Sequence, residues 1–353
     1  MAGTDLQRLG FFTYLGGTRD AAEVLAETME LFVAAEELGF DSVWVAQHHF
    51  GPAVGTLPSP LPFLAAVGAK TRRIRIGTAV IILPLEHPVR LAEDAAVVDL
   101  LSGGRLELGL GSGTDPEVFG ALGYDSDQRR SLMQDGLRTL MASLRGVPLP
   151  SGHVVYPVAP GLERRVWQGL FTPERAREAA AVGTHVLLPK ASAADPAGAA
   201  EQQARAAVAF REAWSQPWPG QVALSRPVYP SIDTLTARYE LADEMVFQTE
   251  QANRLHARTG SGVTLSVEDY VESGVFHMGS VEEVVASLRA DPAIPECTEL
   301  ICQVGHIGPG FDNTLRALEL LATKVAPALG WRPRRTAVGG PIGAPRSRIA
   351  RPG

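Results

Sequence analysis

The chain has 353 residues, 45% of them hydrophobic and 20% charged, with a formal net charge of −7. That is ample apolar material for a large core in one α/β unit, and the acidic balance argues against nucleic acid as a main partner. No run approaches the ~18 apolar residues of a membrane span, no basic region precedes an apolar one near Met1, and Cys297 and Cys302 form no metal or disulfide pattern, so the reducing cytoplasm is the expected setting.

Strands and helices alternate along the chain. Leu9 to Leu15 is an apolar run ending at Gly16-Gly17, read as a strand and turn. Leu25, Met29, Phe32, Ala35 and Leu38 then recur at helical spacing, and Gly39 stops the helix. Ser42–Ala46 is the second strand. Ile74–Leu83 is a β-branched third strand closed by Pro84. A helix over 89–101, a strand at Leu106–Leu110 and a helical region reaching about Leu144 complete the first half.

In the second half, Val166–Leu170, Val186–Leu188, Val222–Val228 and Glu299–Val304 read as strands, with helices near 173–182, 197–214, 234–258 and 313–329. Eight strand–helix units favour a closed parallel (β/α)8 TIM barrel over an open sheet. Residues 1–330 are expected to form this single barrel. The polar, Gly-containing stretch 259–278 reads as an insertion before the last strand, of the kind that covers a site or makes a surface excursion. From Trp331 to Gly353 the chain carries six arginines and no acidic residue, and it reads as a basic Pro/Gly/Arg-rich tail.

His48 and His49 directly follow the second strand, which places them on the C-terminal rim where barrel sites are built. Imidazole titrates near neutrality and can exchange protons with a reacting group; the alternative is a structural pair hydrogen-bonded within a loop. Thr172-Pro173-Glu174-Arg175 has the pattern of a capped helix start, with Pro173 at the first position. Such a helix end suits a phosphate as well as an ordinary cap. Gly109, Gly111 and Gly113 follow a barrel strand and so do not mark a dinucleotide fold. Phe12, Tyr14, Phe50 and Leu57 give the rim an apolar, aromatic character, with Gln47 beside them. His153, His277 and His306 are scattered, with no carboxylate spacing that marks a metal site.

Several motifs together carry a resemblance. Leu38-Gly39-Phe40-Asp41-Ser42-Val43-Trp44-Val45-Ala46-Gln47-His48-His49-Phe50 is followed by Arg73-Ile74-Arg75-Ile76-Gly77-Thr78-Ala79-Val80 and by Leu83-Pro84-Leu85-Glu86-His87-Pro88-Val89-Arg90. Then come Asp99-Leu100-Leu101-Ser102-Gly103-Gly104-Arg105 and Gly109-Leu110-Gly111-Ser112-Gly113. In order, spacing and content over residues 9–145 the chain resembles the bacterial luciferase-like flavin-dependent monooxygenases; the second half matches more weakly, at Phe171–Glu174 and Gln303–Pro327.

The resemblance implies the following expectations. His48 matches the catalytic histidine, with His49 as second candidate. Ala79-Val80 matches a cis non-proline peptide beneath a flavin ring. Thr172, Arg175 and Arg130 are expected to clamp the FMN phosphate, and Gly111 and Ser112 to contact the cofactor, although Ser112 stands where many relatives have arginine. Gln47 stands where a glutamate usually precedes the histidines, and a neutral amide cannot raise the basicity of a neighbouring imidazole as a carboxylate would. The implied reaction uses FMNH2 from a separate flavin reductase and O2, through a flavin C4a-hydroperoxide, to oxygenate a hydrophobic small-molecule or carrier-tethered substrate. A homodimer is the implied assembly. Two other readings stay open at this point: a deazaflavin-dependent dehydrogenase on the same barrel, and a non-catalytic flavin-binding accessory protein.

Overall fold

The computed structural model describes residues 6–17, 19–51, 54–190, 193–260, 262–305 and 307–333; His306 and the tail from residue 334 lie outside them. Ten strands run β1 (Arg8–Thr13), β2 (Ser42–Val45), β3 (Arg75–Thr78), β4 (Ile81–Ile82), β5 (Leu106–Gly111), β6 (Val166–Gly169), β7 (His185–Leu188), β8 (Val222–Pro230), β9 (His277–Gly279) and β10 (Glu299–Gln303). All pairings are parallel in the order β10-β1-β2-β3-β5-β6-β7-β8, and β8 pairs back onto β10 with Ala223 opposite Glu299. With β4 and β9 off this ring, the result is a closed eight-stranded barrel, as the alternation predicts.

The helices are α1 (Ala21–Glu37), α2 (Pro60–Lys70), α3 (Pro88–Leu101), α4 (Pro116–Ala121), α5 (Arg129–Leu144), α6 (Pro173–Val182), α7 (Pro196–Ala213), α8 (Thr234–Glu240), α9 (Ala242–Thr259), α10 (Val267–Glu272), α11 (Val281–Ala290) and α12 (Gly310–Leu320). Among the described residues none is long and apolar enough to cross a membrane.

Period-two alternation sorts each strand between two cores. Leu9 and Phe11 of β1, Val43 and Val45 of β2, and Leu300 and Cys302 of β10 join the cluster beneath the helices. Phe12, Trp44, Trp167, Leu187, Ala223 and Ile301 form a separate cluster inside the barrel, with Tyr14, Ala79 and Val80 packed against it. Trp44 and Trp167 meet edge to face at 5.6 Å, and they occupy so much of the interior that Gly77 has no room for a Cβ, which would lie 2.2 Å from Trp44 Cε3. Below this layer the barrel floor is charged. Arg8 lies 3.2 Å from Glu299 and 3.6 Å from Glu107, Trp44 Nε1 donates to Glu299 at 3.1 Å, and Trp167 Nε1 donates to Glu107 at 2.8 Å. Burial works against the charge on Glu107, but Arg75 and Arg8 outweigh it and hold the carboxyl below its ordinary range; burial prevails at Glu299 and raises it. Such a floor closes the barrel at the N-terminal end and leaves the C-terminal mouth for chemistry.

The structure departs from the sequence reading in four places. The third strand is not continuous: β3 ends at Thr78, a cis peptide bond joins Ala79 to Val80, and β4 resumes at Ile81. The helical region before Leu144 is two helices, with Gly123 at φ +81° and a 3-10 turn at Ser126–Gln128 between them. The predicted helix over 234–258 breaks at Leu241 into α8 and α9. The segment after it is more ordered than an excursion: α10 has a Ser266–Asp269 capping box, and β9 extends the sheet beside the end of β8, with Val228 opposite His277.

One boundary also moves. Trp331, placed in the tail by its basic surroundings, is fully buried, and its Nε1 donates to Asp41 Oδ2 at 2.8 Å. The same carboxylate oxygen accepts from Leu9 N at 2.9 Å, so Trp331 ties the end of the last helical segment to the bottom of β1 and belongs with the barrel.

Candidate active site

The rim between β2, β3 and β5 is built around the cis peptide bond at Ala79-Val80. Ala79 N donates to Val45 O at 2.7 Å and Gln47 N donates to Val80 O at 3.1 Å, so the bond is stitched to the end of β2 from both sides. Thr78 Oγ1 donates to Gly109 O and accepts from Gly109 N, both at 2.8 Å, which restores pairing where the ladder is interrupted. The glycines of β5 have a packing reason. A Cβ on Gly109 would stand 1.9 Å from Thr78 O, and one on Gly111 would stand 2.5 Å from Val80 Cγ2. Gly111 thus makes room for Val80. On the far side Gly169, at the end of β6, has only the Val80 side chain and the Leu110 carbonyl within 4 Å of its missing Cβ. Ala79, Val80, Ser112 and Gly169 are all half-buried, and form a shallow floor of small residues able to accept a planar ring.

Gln47 is buried at 3% exposure and uses both ends of its amide. Its Oε1 accepts from Ile82 N at 2.7 Å, while its Nε2 donates to Pro58 O at 3.1 Å and to Glu86 Oε1 at 2.8 Å. A glutamate here would set a carboxylate against both Pro58 O and Glu86, so the amide is what these neighbours require. Next to it, His48 N donates to Leu57 O at 3.2 Å, and its ring meets Tyr14 at 5.5 Å; Tyr14 in turn packs edge-on against Phe12 at 4.7 Å. Burial and the nearby Glu244 push the Tyr14 phenol up to about 12. His49 is half-buried, its Nε2 has no hydrogen-bond partner among the described residues, and burial lowers its pKa against the opposing charge of Glu86.

Phe12, Tyr14, Gln47 and His48 are therefore brought together. Phe50 is not: it is 59% exposed at φ +58°, with its ring 5.9 Å from His49, on the outer edge rather than in a pocket.

The residues assigned to the phosphate divide. Thr172 caps α6, accepting from Arg175 N at 3.4 Å, as its pattern predicts. The Arg175 guanidinium pairs with Glu178 at 2.6 Å on the same helix. Arg130 is exposed near the start of α5 and makes no ion pair among the described residues.

Sequence reasoning missed the polar group over the mouth. Lys190, just past the end of β7, donates to Gln248 on α9; Gln248 Nε2 donates to Glu244 at 2.7 Å, and Ile307 N donates to the other Glu244 oxygen at 3.1 Å. Burial lowers the Lys190 pKa to about 8, opposed by Glu244. Between this group and Phe12, Tyr14 and Gln303 remains a cavity of about 10 Å³, room for one water. The position of Lys190 beyond a strand end was a usable signal; that of Glu244 and Gln248, within a helix whose site-facing side the sequence does not mark, was not.

Comparisons with known proteins give the family. A model of the luciferase-like monooxygenases matches residues 8–290. The chain belongs to the luciferase-like monooxygenase family. Among relatives of this luciferase-like protein, y4wF of Sinorhizobium fredii is 36% identical over 187 residues, 50% of this chain and 54% of that one. A 4-hydroxyprotoasukamycin monooxygenase of Streptomyces nodosus is 34% identical over 145 residues, 40% of this chain and 39% of that one. The chain thus spans about half the length of the first and less of the second. Among solved structures, a monooxygenase from Streptomyces bottropensis superposes with a TM-score of 0.75 at 26% identity, covering 91% of this chain and 99% of that one. The oxygenating component of a Baeyer-Villiger monooxygenase from Pseudomonas putida, solved with FMN, shares the fold at a TM-score of 0.70 and 17% identity, over 91% of this chain and 98% of that one.

Proposed function

We propose that the protein is an FMN-dependent monooxygenase that takes reduced FMN from a separate reductase and uses O2 to oxygenate a hydrophobic organic substrate, working as a homodimer. The observation that carries this reading is the half-buried floor of small residues Ala79, Val80, Ser112 and Gly169, lying one strand from His48. Reduced flavin, when bound, supplies the activation of oxygen. The chain's own residues do the rest. Ala79 and Val80 would bear the ring from beneath, while the N-terminus of α6 with Thr172 offers backbone donors to the phosphate. Arg130, exposed near the start of α5, would add positive charge, and Arg175 would exchange Glu178 for the phosphate. Phe12 and Tyr14 keep water from the reacting centre. His48 exchanges a proton with the reacting oxygen or substrate at its imidazole.

An F420-dependent secondary alcohol dehydrogenase shares the fold at a TM-score of 0.65 and 17% identity, so a deazaflavin is the competing cofactor. Titration of the pure protein with FMN, FMNH2 and deazaflavin separates the two: FMNH2 binding with substrate-dependent oxygen uptake is expected. Substrate-dependent deazaflavin reduction without oxygen would replace this reading, and binding of no flavin would leave an accessory role. In the active protein His48→Ala is expected to cut turnover about 100-fold with FMNH2 affinity retained. Turnover at the parent rate removes His48 from the chemistry.

A further inference from the structure

We propose that Glu86 is a positioning residue for the His48-His49 pair: held by the Gln47 amide, its carboxylate fixes the histidine loop to the β3–α3 connection. This rests on the placement of the histidines at the reaction centre, and it adds a residue whose part in the site lay outside the sequence reading.

Three observations converge on it. First, Glu86 follows the 3-10 turn at Leu83–Leu85 and stays half-buried at the start of α3, where its Oε1 receives Gln47 Nε2 at 2.8 Å. Its backbone is fixed as well, with Glu86 N donating to Leu83 O at 3.0 Å. Second, the Gln47 amide cannot turn over. The Ile82 N–H demands an acceptor on one side, and Pro58 O and Glu86 demand a donor on the other. Gln47 therefore locks four segments together: the end of β2, the Pro58 loop, β4 just past the cis bond, and the start of α3. A carboxylate acceptor makes the Nε2 bond charge-assisted and stronger than an amide–amide contact. Third, His49 lies within the field of this same carboxylate and presents a buried Nε2 without a partner.

Burial disfavours the imidazolium of His49, and Glu86 is the charged group that opposes it; His48 is its neighbour on the loop, with Tyr14 beyond that ring. The arrangement keeps a negative charge beside the histidines although position 47 is neutral. It places that charge 39 residues later in the chain, on an element whose partner at position 47 must then be a donor. Two carboxylates in contact at 47 and 86 would repel or share a proton.

The test is a histidine titration followed by NMR on the full chain, with the parent, Glu86→Gln, Glu86→Asp and the double variant Gln47→Glu/Glu86→Gln compared by circular dichroism for folding. With the charge removed and the shape kept, Glu86→Gln is expected to move the His49 titration to lower pH. In the active protein the acid limb of kcat follows it. Glu86→Asp keeps the charge and is expected to titrate close to the parent. Gln47→Glu alone is expected to lose about tenfold in kcat, and the double variant to recover part of that, because it restores one carboxylate against one amide while Pro58 O stays without its donor. The proposal is overturned if His49 titrates identically in the parent and Glu86→Gln, or if Glu86→Asp behaves as Glu86→Gln does. The NMR arm needs no turnover, so its failure is distinguishable from a failure of the monooxygenase reading.

Discussion

A methyl group on Gly111 would press on a side chain, whereas one on Gly109 would press on backbone, and the two positions should answer differently to substitution. Val80 Cγ2, 2.5 Å from the added carbon at 111, must give way by turning its side chain or shifting its backbone. Overpacking of this kind costs about 1–3 kcal/mol, so Gly111→Ala is expected to fold with a lower denaturant midpoint and a weaker hold on flavin. At Gly109 the obstacle is the Thr78 carbonyl, 1.9 Å away, and the loss should exceed that of Gly111→Ala. Gly120 in α4 has nothing near its missing Cβ, so Gly120→Ala is the control and is expected to stabilise slightly, by about 0.5–1 kcal/mol. If all three variants melt alike, the packing account of the β5 glycines is wrong. At this scale the sequence revealed what was local. The histidines after β2 and the Thr172 cap each sit beside their own structural signal, and the cis bond could be placed by likeness to a family motif. Glu86 could not be read as the partner of Gln47, because a hydrogen bond across 39 residues has no signature in either segment.

At the scale of elements, the barrel was legible because apolar strand runs alternate with helically spaced stretches and some helices end on a recognisable stop. Gly39 at φ +91° after α1 and Gly183 at φ +83° after α6 are such stops. The failures share a cause. β9 is three residues long and its pairing partner is the extended end of β8, so it carries no period of its own. Trp331 was misplaced because its neighbours are basic and flexible in composition, while its own burial depends on Asp41, 290 residues away. That gives a direct expectation. Trp331→Ala removes a fully buried indole from the bottom of the barrel and should cost about 3–5 kcal/mol of stability. Trp331→Phe keeps the ring and loses the bond to Asp41, whose Oδ2 still receives Leu9 N, so it should cost about 1–2 kcal/mol. Thermal or urea unfolding measures both. A Trp331→Ala protein as stable as the parent would return this residue to the tail.

For the molecule as a whole, stability should depend on pH through histidines that have nothing to do with the mouth. His185 lies inside the barrel wall, its ring 4.7 Å from Trp167 and stacked on Trp214 at 5.5 Å, with Nδ1 accepting from Gln221 N at 3.2 Å. Burial lowers its pKa to about 4, against the pull of Glu107. His277 on β9 bonds Ser287 Oγ through Nδ1 at 2.7 Å, and burial, reinforced by Arg226, lowers it also to about 4. Both are neutral in the folded chain. The unfolded chain binds their protons below about 6.5, and the native state refuses them until about 4. Stability contributed by the neutral rings is therefore complete above 6.5 and drains away between 6.5 and 4, by up to about 3 kcal/mol for each histidine. The lowered His49 adds in the same direction, while Glu107, whose charge the floor arginines protect, contributes only to losses in the carboxylate range. Melting temperature should thus fall steadily from pH 7 to 4.5, and the fall should be shallower in His277→Asn, which has one fewer proton to take up on unfolding. A flat profile over that range would mean that the buried rings accept protons in place. Because most of the stability loss arises in the wall and the sheet extension, whereas the acid limb of activity is assigned to His49, the two pH profiles should separate. Glu86→Gln should move the second and leave the contributions of His185 and His277 to the first unchanged.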